Sequence, residues 1–131
     1  MVYYRRGRDC LVIPYIFCER IDILMKKENE FQASLIKEIK ERFPGAIVLK
    51  NDPNYIQGMP DLTVLHRDGW AMLEVKRNKD ASHQPNQDYY ISKANEMQYA
   101  SFVYPENKEE VLNGIQKSFE CQRGRSRLSR S

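Results

Sequence analysis

Residues 61–76, DLTVLHRDGWAMLEVK, leave the fold little freedom. Asp61 to His66 and Trp70 to Lys76 are short runs rich in branched and aromatic residues. Arg67-Asp68-Gly69 between them is a tight-turn signal of the Asp-Gly type. The segment reads as a β-hairpin. Asp61 opens one arm and Glu74 lies near the far end of the other, so the turn carries both carboxylates toward one edge. Lys76 is two residues beyond Glu74, and the two-residue period of a strand puts both side chains on one face.

The flanking chain alternates between helical and extended patterns. From Glu28 to Arg42, Phe31, Leu35, Ile36 and Ile39 fall at i, i+4, i+5 and i+8, one face of an amphipathic helix closed by Pro44-Gly45. Ala46 to Lys50 is a short branched strand, and residues 51–59 hold Asp, Pro, Asn and Gly, a loop. Arg77 to Gln84 is polar and irregular, after which Pro85 opens a helix to about Met97. Tyr99 to Tyr104 is a further strand. Pro105 starts a last helix with Val111, Leu112, Ile115 and Phe119 on its apolar face and Glu106, Glu109 and Glu110 in its first turns, where the dipole favours acids. The order α-β-β-β-α-β-α predicts an α/β domain, a mixed sheet flanked by helices.

A chain of 131 residues, 41% hydrophobic and 30% charged, has the size and composition of one globular domain. Its longest apolar run, Leu11 to Phe17, is seven residues and contains Pro14, so no bilayer span and no membrane partner are expected. Arg5, Arg6 and Arg8 precede that run, but it ends in Glu19-Arg20 without a small-residue cleavage site, unlike a signal peptide. Cys10, Cys18 and Cys121 form no CxxC pair, which argues against a disulfide framework or zinc site and suits a reducing, cytoplasmic setting. The Tyr/Arg-rich segment 1–24 differs from the rest, and Met25 stands just before the helical signal. Residues 1–24 are therefore expected to be an extension, with Met25 an alternative start, 25–120 the domain, and 121–131 a flexible basic tail. That tail carries four arginines and no acid, and residues 1–24 carry +1, so the body is left at −2 within a total of +3. A mildly acidic body with a basic tail fits a protein that meets a polyanion, and equally a solvated tail.

Two carboxylates at adjacent strand ends repel unless a cation lies between them. Mg²⁺ prefers oxygen ligands and takes one or two carboxylates plus waters and substrate phosphate. A carboxylate pair beside a lysine is equipment for phosphodiester hydrolysis: the cation polarises the phosphoryl oxygen and lowers the pKa of a water, while the lysine offsets charge.

Gly58-Met59-Pro60-Asp61, twelve residues, then Glu74-Val75-Lys76 resembles the signature of the PD-(D/E)XK nuclease superfamily. Within it the chain is most similar to the VRR-NUC and phage Holliday-junction-resolvase-like branch, over roughly residues 28–104. Glu30-Phe31-Gln32 resembles the acid on that branch's first helix, and Gln87 the glutamine after its E-x-K strand. The resemblance implies a restriction-endonuclease-like α-β-β-β-α-β core and Mg²⁺-dependent cleavage of DNA, with Mn²⁺ able to substitute and 5′-phosphate products. It implies that Asp61, Glu74 and the backbone carbonyl of Val75 are metal ligands. Lys76 would be the catalytic lysine, Glu30 a further acid near the metal, and Gln87 the residue that holds the phosphate or positions Lys76. Gln84 is an alternative to Gln87. It also implies a bacterial host cytoplasm for a phage-encoded chain.

The leading expectation is a structure-selective endonuclease. A Holliday junction resolvase acting as a homodimer is one alternative, since a two-fold dimer supplies paired cuts. A non-catalytic DNA-binding module on the same fold is another. Lys50, Asn51, Arg77 and Lys79 are placed to reach DNA or to form a solvated rim. His66 and His83 lack partners at ligand spacing. Trp70 after the turn glycine is expected to be half-buried, and Tyr89, Tyr90, Tyr99 and Phe102 to serve core or interface.

Overall fold

The computed structural model describes the backbone of residues 2–6, 9–13 and 15–130 and the side chains of 19–130. Along the chain lie β1 (Val2–Arg6), β2 (Asp9–Ile13), α1 (Tyr15–Arg42), β3 (Ile47–Lys50), β4 (Leu62–His66), β5 (Gly69–Val75), α2 (Pro85–Met97), β6 (Ala100–Val103) and α3 (Lys108–Leu128). The expected α-β-β-β-α-β-α order is present from α1 onward. β3, β4 and β5 pair antiparallel and β6 joins β5 in parallel, giving a four-stranded mixed sheet in the order β3-β4-β5-β6. A parallel pair requires a crossover, which α2 supplies. β1 and β2 form a separate antiparallel pair that the sequence reading did not anticipate.

Strand alternation sorts the side chains into two layers. Leu62, Val64, Ala71, Leu73, Val75 and Val103 face Leu35, Ile39 and Phe43 of α1 and Val111, Leu112, Ile115 and Phe119 of α3. On the opposite face half-buried Trp70, Met72 and Phe102 join Ala100 against Ile91 and Ala94 of α2. Each fully buried aliphatic or aromatic side chain contributes about 1.5–3 kcal/mol through removal from water. α2 lies over β5 and β6, leaving Ile47 and Leu49 of β3 and Leu65 of β4 exposed on that face.

Three expectations are corrected. The hairpin loop is Arg67-Asp68, with His66 paired to Gly69 as the first residue of β5. Asp68 is held there by its own contacts: its N–H donates to His66 Nδ1 (3.2 Å) and its carboxylate accepts from Arg123 (2.8 Å). α1 begins at Tyr15, not after Met25, so the proposed boundary falls inside a helix. Residues 19–27 of it are exposed apart from half-buried Leu24, and so carry no apolar stripe to read. α3 continues to Leu128, making most of the basic segment helical rather than a flexible tail. Arginine favours helix, and Arg125 and Arg127 suit its negative C-terminal dipole. Among the described residues no helix is long and apolar enough to cross a membrane. Cys121 is exposed and free, whereas the Cys10 and Cys18 side chains lie outside the described residues.

Candidate active site

β5 ends at Val75, and its alternation turns Glu74 and the following Lys76 to the face that α2 covers. Both are buried, at 3% and 8% exposure, unusual for charged residues without a shared role. Asp61 immediately precedes β4. Its Oδ2 accepts the Val75 N–H at 2.8 Å, while Glu74 Oε2 accepts the Asp61 N–H at 3.2 Å. Each carboxylate is thus pinned to the backbone of the other's strand.

The loop before Asp61 is fixed by close contacts. Pro60 is fully buried. Gly58 has φ of 89°, and a Cβ there would collide with Asn86 of α2. Asn51, just after β3, donates its N–H to the Asp61 carbonyl (2.8 Å) and its Nδ2 to the Pro60 carbonyl (2.7 Å), and it bonds Thr63. Asn51 therefore fastens the motif and does not belong to an outer rim, a role its loop position in the sequence gave no sign of. Lys50 and Lys79 are exposed.

α2 starts beside these groups, with Pro85 in its first turn. Gln87 Nε2 donates to Glu74 Oε1 at 2.6 Å, and its Oε1 accepts from Lys76 Nζ at 2.9 Å and from the Gln84 N–H at 3.1 Å. Lys76 Nζ lies 3.6 Å from Glu74 Oε1. The Gln84 side chain is exposed, so of the two glutamines it is Gln87 that reaches the cluster. Asp61, Glu74, Lys76 and Gln87 come together as the motif implies.

Glu30 does not. It is exposed, and the acid that α1 brings to the cluster is Glu28, half-buried beside Asp61, Lys76 and Arg77. Helical phase explains this. Glu28 precedes Phe31, Leu35 and Ile39 on the buried face, whereas Glu30 is turned about 200° away from it. Glu28, i−3 from Phe31, was within reach of a stricter reading of that stripe.

Electrostatics marks the cluster as short of positive charge. Burial pushes the Glu74 carboxyl up to about 7, reinforced by Asp61 and opposed by Lys76. Burial likewise raises Asp61, against the Val75 N–H and Lys76, and raises Glu28, with Asp61 adding to the shift. Among the described residues no three His, Cys, Asp or Glu side chains form a ready-made ligand set. The donors on offer are the buried Glu74 carboxylate and the half-buried Asp61 carboxylate, with Glu28 nearby, and no imidazole or thiolate. Such an all-oxygen set, completed by water, fits Mg²⁺ or Mn²⁺. The Val75 side chain points into the opposite core layer, so only its backbone would be available to a cation.

The histidines lie elsewhere. His66 stacks on Phe119 with ring centroids 5.2 Å apart, and His83 stacks on Phe102 at 3.8 Å, its Nδ1 3.2 Å from Asp88. No family model matches the chain and no curated protein is significantly similar to it, so the site stands on its geometry.

Proposed function

We propose that the chain is a Mg²⁺-dependent DNA endonuclease of the PD-(D/E)XK kind, structure-selective in the VRR-NUC manner. The observation that carries this reading is the hydrogen-bonded quartet of Asp61, Glu74, Lys76 and Gln87 gathered at one end of the hairpin. Asp61 and Glu74 would hold the cation, with the Val75 carbonyl as a third protein ligand and Glu28, in place of Glu30, as the outer acid. When bound, a hard divalent cation supplies a polarised phosphoryl oxygen and a water of lowered pKa. Lys76 directs its ammonium to the attacking water or to the charge that grows on the phosphate. Gln87 is a positioning residue: by accepting from Lys76 and donating to Glu74 it fixes both at once. The N-terminus of α2 adds oriented N–H groups that favour an anion alongside.

Incubation with plasmid, single-stranded and four-way-junction DNA tests this. Cleavage is expected with Mg²⁺ or Mn²⁺, lost with chelator, and reduced at least about 1,000-fold in Asp61→Asn and Lys76→Met, whose charges act on the reacting groups. Absence of cleavage on every substrate, with Asp61→Ala binding DNA as well as the unaltered chain, would mean a non-catalytic DNA-binding module.

One observation favours junction resolution by a two-fold dimer as a second reading. Edge strand β3 exposes Ile47 (58%) and Leu49 (46%) beside Leu65 (40%), an apolar strip on the face that carries the site. A dimer by sedimentation that Leu49→Lys dissociates, together with symmetric paired nicks confined to junctions, would select it.

A further inference from the structure

A second, chemically different feature lies at the far end of the β4–β5 hairpin. Between the C-terminal turn of α1, the hairpin loop and the C-terminal half of α3 opens a cleft of about 670 Å³. Five arginines line it (Arg42, Arg67, Arg123, Arg127 and Arg130) against two acids, an excess equal to the formal +3 of the whole chain. Arg42 is engaged by Glu109, Asn113 and Gln116 of α3, and Arg123 by Asp68 at 2.8 Å. These contacts tie α3 to the hairpin loop and to α1. The remaining three, Arg67, Arg127 and Arg130, are exposed and have no carboxylate partner among the described residues.

We infer that this arginine cleft is a second backbone-phosphate contact for nucleic acid, gripping the flank of the duplex whose scissile phosphate sits at the Asp61–Glu74 site. The inference rests on the nuclease reading and adds to it where the rest of the DNA lies. Helix-dipole compensation explains Arg125 and Arg127, but not the convergence of Arg67 from the hairpin loop on the same cleft. Spread matters too. The three arginines without a carboxylate partner among the described residues come from two elements, Arg67 from the hairpin loop and Arg127 and Arg130 from the end of α3 and the turn after it, an arrangement suited to successive phosphates along a strand. α1 links the two places, with Glu28 at one and Arg42 at the other. Fourteen residues of helix separate them by about 21 Å, or roughly six base steps at 3.4 Å each. Guanidinium forks are the preferred partners of such phosphates.

The test is the salt dependence of binding to a 24-base-pair duplex, measured by anisotropy in chelator so that nothing is cut. Each lost phosphate contact lowers the slope of log K against log salt by about 0.9. The triple variant Arg67→Ala/Arg127→Ala/Arg130→Ala is expected to lower it by about 2–3 and to weaken binding at least about 10-fold at 0.1 M salt. Arg125→Ala, which removes one charge from α3 outside the cleft, is expected to change the slope by less than about one. With Mg²⁺, the triple variant raises KM and keeps kcat. A triple variant indistinguishable from Arg125→Ala overturns the cleft while Mg²⁺-dependent cleavage upholds the nuclease. Loss of kcat at saturating DNA also overturns it, because the arginines then hold the fold and not the substrate. An unaltered chain that binds no DNA overturns both.

Discussion

Glu74 is nearly excluded from water, yet its proposed role requires the ionised form. Its carboxyl, pushed up to about 7, stays protonated in the folded chain at pH values where the unfolded chain has released the proton. Stability must therefore fall as pH rises from the ordinary carboxylate range through about 7, with a limit near 3 kcal/mol for Glu74. Asp61 and Glu28, also raised, act in the same direction. In chelator the melting temperature should be highest near pH 5 and decline toward pH 8, and Glu74→Gln should flatten most of that decline. A melting temperature that climbs between pH 5 and 8 would show that burial does not govern this carboxyl. Residue-level legibility follows the same physics. Asp61, Glu74 and Lys76 were readable because hairpin pairing and strand period fix their edge and face. Gln87 needed the resemblance as well, since its place at the start of a helix says nothing of its partners. Glu30, assigned through the resemblance alone, lies outside the cluster because the phase of the apolar face turns Glu28 toward it instead.

At the scale of elements, the loop from Asn51 to Asp61 decides whether the two carboxylates meet. Gly58 adopts a φ open to glycine, and α2's Asn86 fills the space a side chain would need. Gly58→Ala should therefore cost about 1–3 kcal/mol by strain and displacement and lower kcat, because the loop must lift from α2 and carry Asp61 with it. Asn51→Ala should cost about 1–2 kcal/mol by orphaning the Pro60 carbonyl and Thr63 hydroxyl. Thermal melts and steady-state rates check both, and an unchanged kcat in Gly58→Ala would show that the loop does not position Asp61. The hairpin, α2 and β6 were legible because their burial is one-sided and writes a period into the sequence. The N-terminal half of α1 and the end of α3 were not. Residues 19–27 are almost wholly exposed, and past Phe119 α3 buries nothing further, so neither stretch needs an apolar stripe. The β1–β2 pair was missed for a related reason: Val2–Arg6 mixes tyrosine and arginine without a clean alternation.

Over the whole molecule, the structured load is carried by α1 from about Glu28, the four-stranded sheet, α2 and α3, while residues 19–27 bury little. Ile23→Ser, on the exposed stretch 19–27, should keep cooperative unfolding and a melting temperature within about 3 °C of the unaltered chain, because a half-exposed side chain there removes contacts worth only tenths of a kcal/mol. A collapse in melting temperature would mean that the first half of α1 supports the core. Cation binding reports on the molecule in the same quantity. A ligand that binds only the folded chain stabilises it by about 1.4 kcal/mol at ten times its dissociation constant, a rise of roughly 3–6 °C for a domain of this size. At the proposed site protons would compete with the cation for Asp61 and Glu74, so the Mg²⁺-induced rise should be larger at pH 8 than at pH 5.5. It should vanish in Asp61→Asn and persist in the cleft variant Arg67→Ala/Arg127→Ala/Arg130→Ala. A rise of equal size in Asp61→Asn would place the cation elsewhere and remove the donor set on which the proposed chemistry depends.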